Sequence, residues 1–372
     1  MITFISFLLP LHFFVFSTLY IIYSLIIYTY FHDIELSEGY CFYHISLLFH
    51  EKIEKTFRLY SKLCVLLHFK SIKMIPRYLC HGDCIGLVAP ARKIEENEIL
   101  PAVDFFQKNG FRVKLGQHIF ASDHQFAGTD EQRAADFQSF LDDPDVNAIL
   151  CARGGYGSVR LIDQLDFTRF LQNPKWICGF SDVTVFHSHL HQLNVATLHC
   201  TMPINMQADS LNHRNAQTML QALTGNKIEY HIPTTDLNRN GCAEGTLVGG
   251  NLSILYSLMG SASAINTDNK ILFIEDLDEY LYHIDRMMIC LKRAGMLDKL
   301  AGLIVGGMSE MNDNTIPFGK TGNEIVASHC REYHFPVCFN FPAGHMADNV
   351  ALKLGTHISL SVNTDYTTIS FN

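Results

Sequence analysis

The sequence predicts an α/β protein in two parts: an N-terminal, mainly parallel α/β domain and a C-terminal, β-rich α/β domain. Three observations predict it. From Gly82 onward, short apolar runs ending in small residues alternate with stretches of helical spacing, the pattern of βαβ crossovers and a parallel sheet. A polar, mixed stretch from about Leu211 to Arg239 separates two such halves. The segment LKLGTHISLSVNTDYTTISF near the C-terminus alternates apolar and polar residues, as a half-solvated antiparallel hairpin does.

Taken in order, CIGLVAPA (Cys84–Ala91) is a buried strand and the turn after it. Glu95 to Asn109 has helical spacing, with Ile99, Val103, Phe105 and Phe106 near one face and Gly110 as a stop. FRVKLG is a strand, and Thr129 to Leu141 a helix opened by an N-cap threonine and an acidic first turn. Val146–Ala152 is a central strand before the glycine-rich RGGYGS, Val159 to Leu165 a helix, Trp176–Phe180 a strand, and Val183 to Leu193 a helix. In the second half, GCAEGTLVGGNLSIL, KILFIEDLDE, LAGLIVGGM and PVCFNFPAGH are four apolar runs, all but KILFIEDLDE with glycines at or near their ends. The expected organisation is a leader (1–73), an N-terminal domain (74–210), a connection (211–240) and a C-terminal domain (241–372).

The leader differs from the rest. Met1 to Phe31 carries no charged side chain, long enough to cross a bilayer, for which about 20 apolar residues suffice. It lacks the basic n-region and the cleavage site of a signal peptide. Residues 1–73 contain no Ala and one Gly, Gly39, and the character changes abruptly at Met74. Two readings stand: a membrane anchor through residues 2–31, or translation that truly begins at Met74, which we favour.

The 372 residues, 48% of them hydrophobic, suffice for a large core and two domains. The net charge of −9 leaves no basic footprint for nucleic acid. Eleven cysteines without CxxC pairs suggest neither a zinc ribbon nor a disulfide framework, and point to a reducing compartment.

Several constellations could carry chemistry. In WICGFSDVTVFH, Ser181 sits between a strand and a helix, at the sheet edge where α/β proteins bind ligands. It is either a nucleophile at an elbow, with the Asp182 N–H aimed at the same point, or, with Asp182, a helix cap. RGGYG places Arg153, Gly154 and Gly155 after the neighbouring strand; glycines let backbone N–H groups approach an oxyanion, and Arg153 could clamp a carboxylate. The spacing is not that of a dinucleotide loop. FIEDLDE puts Glu275 and Asp276 at a strand end, and PAGH puts His345 on a loop, the kind of base a serine needs. HSHLH aligns His187 and His191 on one helix face, but no third ligand is evident, and no metal or cofactor is expected.

Together these residues resemble the LD-carboxypeptidase family (serine peptidase family S66), which includes muramoyltetrapeptide carboxypeptidases and microcin C immunity peptidases. The likeness runs from about Ile75 to Phe371, through GLVAPA, FAGTDEQRAADFQ, ILCARGGYGSVRLIDQLD, PKWICGFSDVT, LHCTMP, AEGTLVGGNLSIL, ILFIEDLDE and the AGH loop, in the family's order. It implies Ser181 as nucleophile, Glu275 as triad carboxylate and His345 as base, in a cleft between the domains. It implies a murein tetrapeptide substrate that loses D-Ala, or alternatively a peptidyl-adenylate antibiotic, a cytoplasmic location and a homodimer. The oxyanion donors would be the N–H of Asp182 and that of Gly154 or Gly155, with Arg153 near the substrate carboxylate. Two departures stand out: Cys200–Thr201 where many members have Gly-Pro, and Asn340 where a Gly is common.

Overall fold

The computed structural model describes residues 73–206 and 214–371; the leader and its two readings lie outside the described residues. The first sheet has six strands in the order β11-β5-β4-β3-β1-β2. β1 (Cys84–Val88), β2 (Arg112–Leu115), β3 (Val146–Cys151), β4 (Trp176–Gly179) and β5 (Thr197–His199) are parallel, and β11 (Leu352–Leu354) pairs antiparallel with β5. Helices α1 (Glu96–Lys108), α2 (Asp130–Asp142) and α3 (Thr184–Gln192) connect the strands. The second sheet has the order β10-β9-β8-β7-β12-β13-β6. Its strands β7 (Gly241–Asn251), β8 (Lys270–Leu277), β9 (Gly302–Ser309) and β10 (Val337–Cys338) are parallel. The strands β12 (His357–Val362), β13 (Tyr366–Phe371) and β6 (Glu229–Pro233) continue it antiparallel.

Strand alternation explains the layers. On β1, Ile85 and Leu87 face one way and pack with Ile99, Ala102 and Phe106 of α1. Cys84 and Val88 face the other way, toward Phe137, Phe140 and Leu141 of α2 and Phe186 of α3. Phe137 stacks on Phe186 with ring centroids 4.3 Å apart, which ties two helices over that face. The core over α1 runs on into Leu247, Ile271, Phe273, Ile304 and Leu360 of the second sheet. The opposite face of that sheet is covered by α6 (Leu281–Arg293) and α7 (Gly322–Cys330), through Ile284, Met288, Leu291, Ile325 and Val326.

Most predicted elements stand within a residue or two, including the caps: Thr129 accepts from the Gln132 N–H, and Glu95 closes a capping box. Three differ. The helix expected over Val159 to Leu165 is two 3-10 turns, Ser158–Arg160 and Ile162–Gln164, because the loop is pinned from outside, as described below. The expected connection 211–240 carries α4 (Arg214–Leu223) and β6; α4 buries Ala216, Met219, Ala222 and Leu223 at helical spacing among polar residues. The expected C-terminal hairpin is β12 and β13 alone, since LKL joins the other sheet as β11.

Candidate active site

Ser181 follows β4 on a turn with φ +63°, a left-handed backbone that costs a non-glycine residue about 1–2 kcal/mol. The turn is a 3-10 segment, Ser181–Val183, leading into α3 (Thr184–Gln192), and neither start has a side-chain cap. The helix-cap reading of Ser181 therefore fails. Asp182 does not cap the helix either: its Oδ2 accepts the Ser158 N–H at 2.8 Å, while the residue is 1% exposed. Burial pushes the Asp182 carboxyl up, against the hydrogen bond from Ser158 and the Arg133 charge. As the second residue of a 3-10 turn, the Asp182 N–H has no acceptor within the helix and is free to serve an external one. Sequence reasoning had offered the Asp182 side chain only a helix cap; it fastens the RGGYGS loop to the elbow.

That loop has a second fastener that sequence reasoning missed. Buried Arg133, on α2, donates from Nη1 to Pro90 O at 2.7 Å and to Gly157 O at 3.3 Å. One guanidinium thus holds the loops after β1 and β3. Gly154 lies against the serine: a Cβ there would stand 3.0 Å from Ser181 Cβ and 3.2 Å from its Oγ. Gly155, at φ +107°, faces the Arg92 side chain instead. Arg153 donates to Lys93 O at 3.3 Å.

The other half of the site comes from the second sheet. Glu275, near the end of β8, is fully buried, and its Oε2 lies 2.7 Å from His345 Nδ1 and accepts the His345 N–H at 3.1 Å. Only a glycine fits before the histidine, since a Cβ on Gly344 (φ +106°) would meet Glu275 Oε2 at 2.6 Å. The Gly344 N–H donates to Asn349 Oδ1 at 2.9 Å, which closes the loop. Burial lowers the His345 pKa, but the Glu275 hydrogen bond and the Glu275, Asp276 and Glu310 charges outweigh it, and the net shift is upward. Asn340 stands at φ +57°, a region that asparagine is among the few side chains to tolerate, and its Oδ1 accepts from Asn323 Nδ2 at 2.8 Å.

The two halves meet at Phe180, whose ring lies 4.8 Å from that of His345. Among the described residues no hydrogen bond joins Ser181 Oγ to the imidazole; such contacts are often loose without substrate. A second link is firmer. Thr184 Oγ1, at the start of α3, accepts the Asn251 N–H at 3.0 Å, and Asn251 Nδ2 donates to Asp276 Oδ1 at 2.9 Å. Asp276 also accepts the Ser253 and Leu277 N–H groups at 2.9 Å. Burial and the Glu275 charge push its carboxyl up to about 7, against the Leu277 and Asn251 hydrogen bonds.

The HSHLH histidines make other contacts. His187 is fully buried with Nε2 2.9 Å from Gly179 O, and burial pushes its pKa down to about 4. Among the described residues no group of three or more His, Cys, Asp or Glu side chains is arranged to hold a metal.

Comparison with known proteins identifies the family. Residues 85–200 match the LD-carboxypeptidase N-terminal domain, and residues 244–360 the LD-carboxypeptidase C-terminal domain. A probable murein peptide carboxypeptidase of Bacillus subtilis is 32% identical over 300 residues, covering 78% of this chain and 92% of that one. The microcin C7 self-immunity protein of Escherichia coli is 27% identical, covering 78% and 94%. The solved structure of muramoyltetrapeptide carboxypeptidase from Oxalobacter formigenes superimposes with a TM-score of 0.72 at 26% identity, covering 78% of this chain and 98% of that one. The chain belongs to the LD-carboxypeptidase family and is a carboxypeptidase, a hydrolase of two α/β domains.

Proposed function

We propose that the protein is a serine LD-carboxypeptidase that releases the terminal D-Ala from murein tetrapeptides in cell-wall recycling, through Ser181, His345 and Glu275. The observation that carries this reading is the 2.7 Å His345–Glu275 pair, packed through Phe180 against a serine held at φ +63°. Glu275 engages Nδ1 and fixes the tautomer, so Nε2 is left to take the serine proton and pass it to the leaving amine. Ser181 Oγ attacks the carbonyl of the L,D bond. The oxyanion is received by the Asp182 N–H and, of the two candidate glycines, by Gly154, which abuts the serine while Gly155 faces Arg92. Arg153 takes the terminal carboxylate.

The names of the relatives support a murein peptide, and one of them supports a second reading, cleavage of a microcin-type peptidyl-adenylate. Product analysis on defined tetrapeptides and on a peptidyl-adenylate, with wild type and Ser181→Ala, separates the two. Release of D-Ala by wild type alone is expected. Turnover by Ser181→Ala near the wild-type rate would overturn the nucleophile assignment. A cytoplasmic homodimer completes the proposal, and sedimentation of the purified chain tests the dimer. Among the described residues no helix is long and apolar enough to cross a membrane.

A further inference from the structure

At the other end of α3 from Ser181 lies a pocket of about 190 Å³, lined among others by Lys73, His191, Asn194, Thr246, Lys270 and Gly355. It draws on both halves of the molecule. His191 is in the last turn of α3, Asn194 follows it, Thr246 is on β7, and Lys270 opens β8. Lys73 is brought in by the backbone pairing of Met74 with Asn194 and Ala196.

Its electrostatics are lopsided. Among the described residues no Asp or Glu lines it and neither Lys73 nor Lys270 forms an ion pair; Lys270 Nζ donates to Asn266 O at 2.9 Å and feels the Asp268 charge from outside the pocket. The carbonyl end of α3 supplies about half a negative charge, against two ammonium groups. Lys270 is half-buried and Lys73 more exposed, and what burial each has lowers its pKa. His191 is 8% exposed and its Nδ1 has no hydrogen-bond partner, while Nε2 lies 3.5 Å from the Thr197 hydroxyl. With that hydroxyl donating to Nε2, Nδ1–H is a buried donor without an acceptor, which costs about 1–3 kcal/mol. A cavity with two cations and an orphan donor lacks an acceptor-only, negatively charged group. Its volume is below the roughly 300–1,000 Å³ of organic-ligand sites, so the missing group is small.

We propose that this pocket binds a small oxyanion, phosphate or carboxylate, held by the Lys73 and Lys270 ammonium groups and His191. Bound there, the anion ties the end of α3 to the middle of β7 and the start of β8. The same three elements carry Thr184, Asn251 and Glu275 at their opposite ends.

The test titrates the full chain with sodium phosphate and, separately, sodium acetate, at constant ionic strength, following thermal unfolding and, for phosphate, the 31P line width. Saturable stabilisation is expected for wild type. Stabilisation by phosphate alone or acetate alone identifies the source, and by both the shared class. Lys270→Met and Lys73→Met are each expected to weaken binding at least tenfold, about 1.4 kcal/mol. Arg153→Met should retain it, which separates this pocket from the serine's cleft. Lys73 lies outside regular structure, so Lys73→Met decides the matter should Lys270→Met not fold. No saturable binding by either anion, unchanged affinity in Lys73→Met, or loss in Arg153→Met would each overturn the proposal.

Discussion

His345 and Glu275 share one oxygen: Glu275 Oε2 accepts both the backbone N–H and the Nδ1–H of His345. The carboxylate thus fixes where the residue sits and how its ring turns. The same arrangement raises the pKa of the imidazole, and the sign is definite. A base must be neutral, so the acid limb of kcat/KM should fall above the ordinary histidine value of about 6.5. Glu275→Gln removes the negative charge and should move that limb to lower pH, with kcat reduced by about 10⁴, as loss of a triad carboxylate does. The pH–rate profile of both proteins checks this. An unshifted limb in Glu275→Gln would dissociate the histidine from the rate. The pair also contributes stability that is complete below about pH 6.5 and lost as the pH rises through the raised value.

The left-handed backbone at Ser181 makes a separable prediction for stability. Ser181→Ala keeps the strain and loses the proposed nucleophile; Ser181→Gly relieves the strain and loses it too. The glycine variant should be more stable than the alanine variant by about 1 kcal/mol, read from urea unfolding midpoints. Equal midpoints would mean that the turn is not strained in solution.

At Gly154 a methyl group would press on Ser181 at 3.0–3.2 Å. Gly154→Ala should therefore lower kcat by about 10²–10³, the usual consequence of a displaced oxyanion donor, while KM changes little. A loss confined to KM would place this glycine in ground-state binding instead.

Thr184 is fully buried and its hydroxyl receives the Asn251 N–H. Thr184→Val keeps the shape and strands that N–H, which should cost about 1–3 kcal/mol in unfolding free energy. Because the bond joins the helix after Ser181 to the strand beside Glu275, activity should fall further than stability explains. Retained activity at full folding would make the link purely structural.

How much of this was legible in the sequence follows from how local each signal is. The elbow serine, the strand-end glutamate and the loop histidine announce themselves by short patterns, and their order carries the family. The 3-10 turns after RGGYG did not, because Asp182 and Arg133 impose them from 24 and 24 or more residues away. Residues of α4 keep helical spacing, yet their polar neighbours masked it. Sheet membership was hidden altogether: LKL has the letters of any strand, and nothing within three residues states which sheet will accept it. The Thr184–Asn251–Asp276 chain was invisible for the same reason, being a contact between segments 67 positions apart.

β11 has a consequence for synthesis. The sheet that bears the serine is completed by Leu352–Leu354, which are made after every other strand of that sheet. A chain leaving the ribosome N-terminus first exposes the edge of β5 until then, and an unpaired edge is where strands recruit the wrong partner. Glu275 and His345 also arrive late. On the proposed triad the nascent chain is inert until Glu275 and His345 have followed Ser181, and the β5 edge is covered only after both.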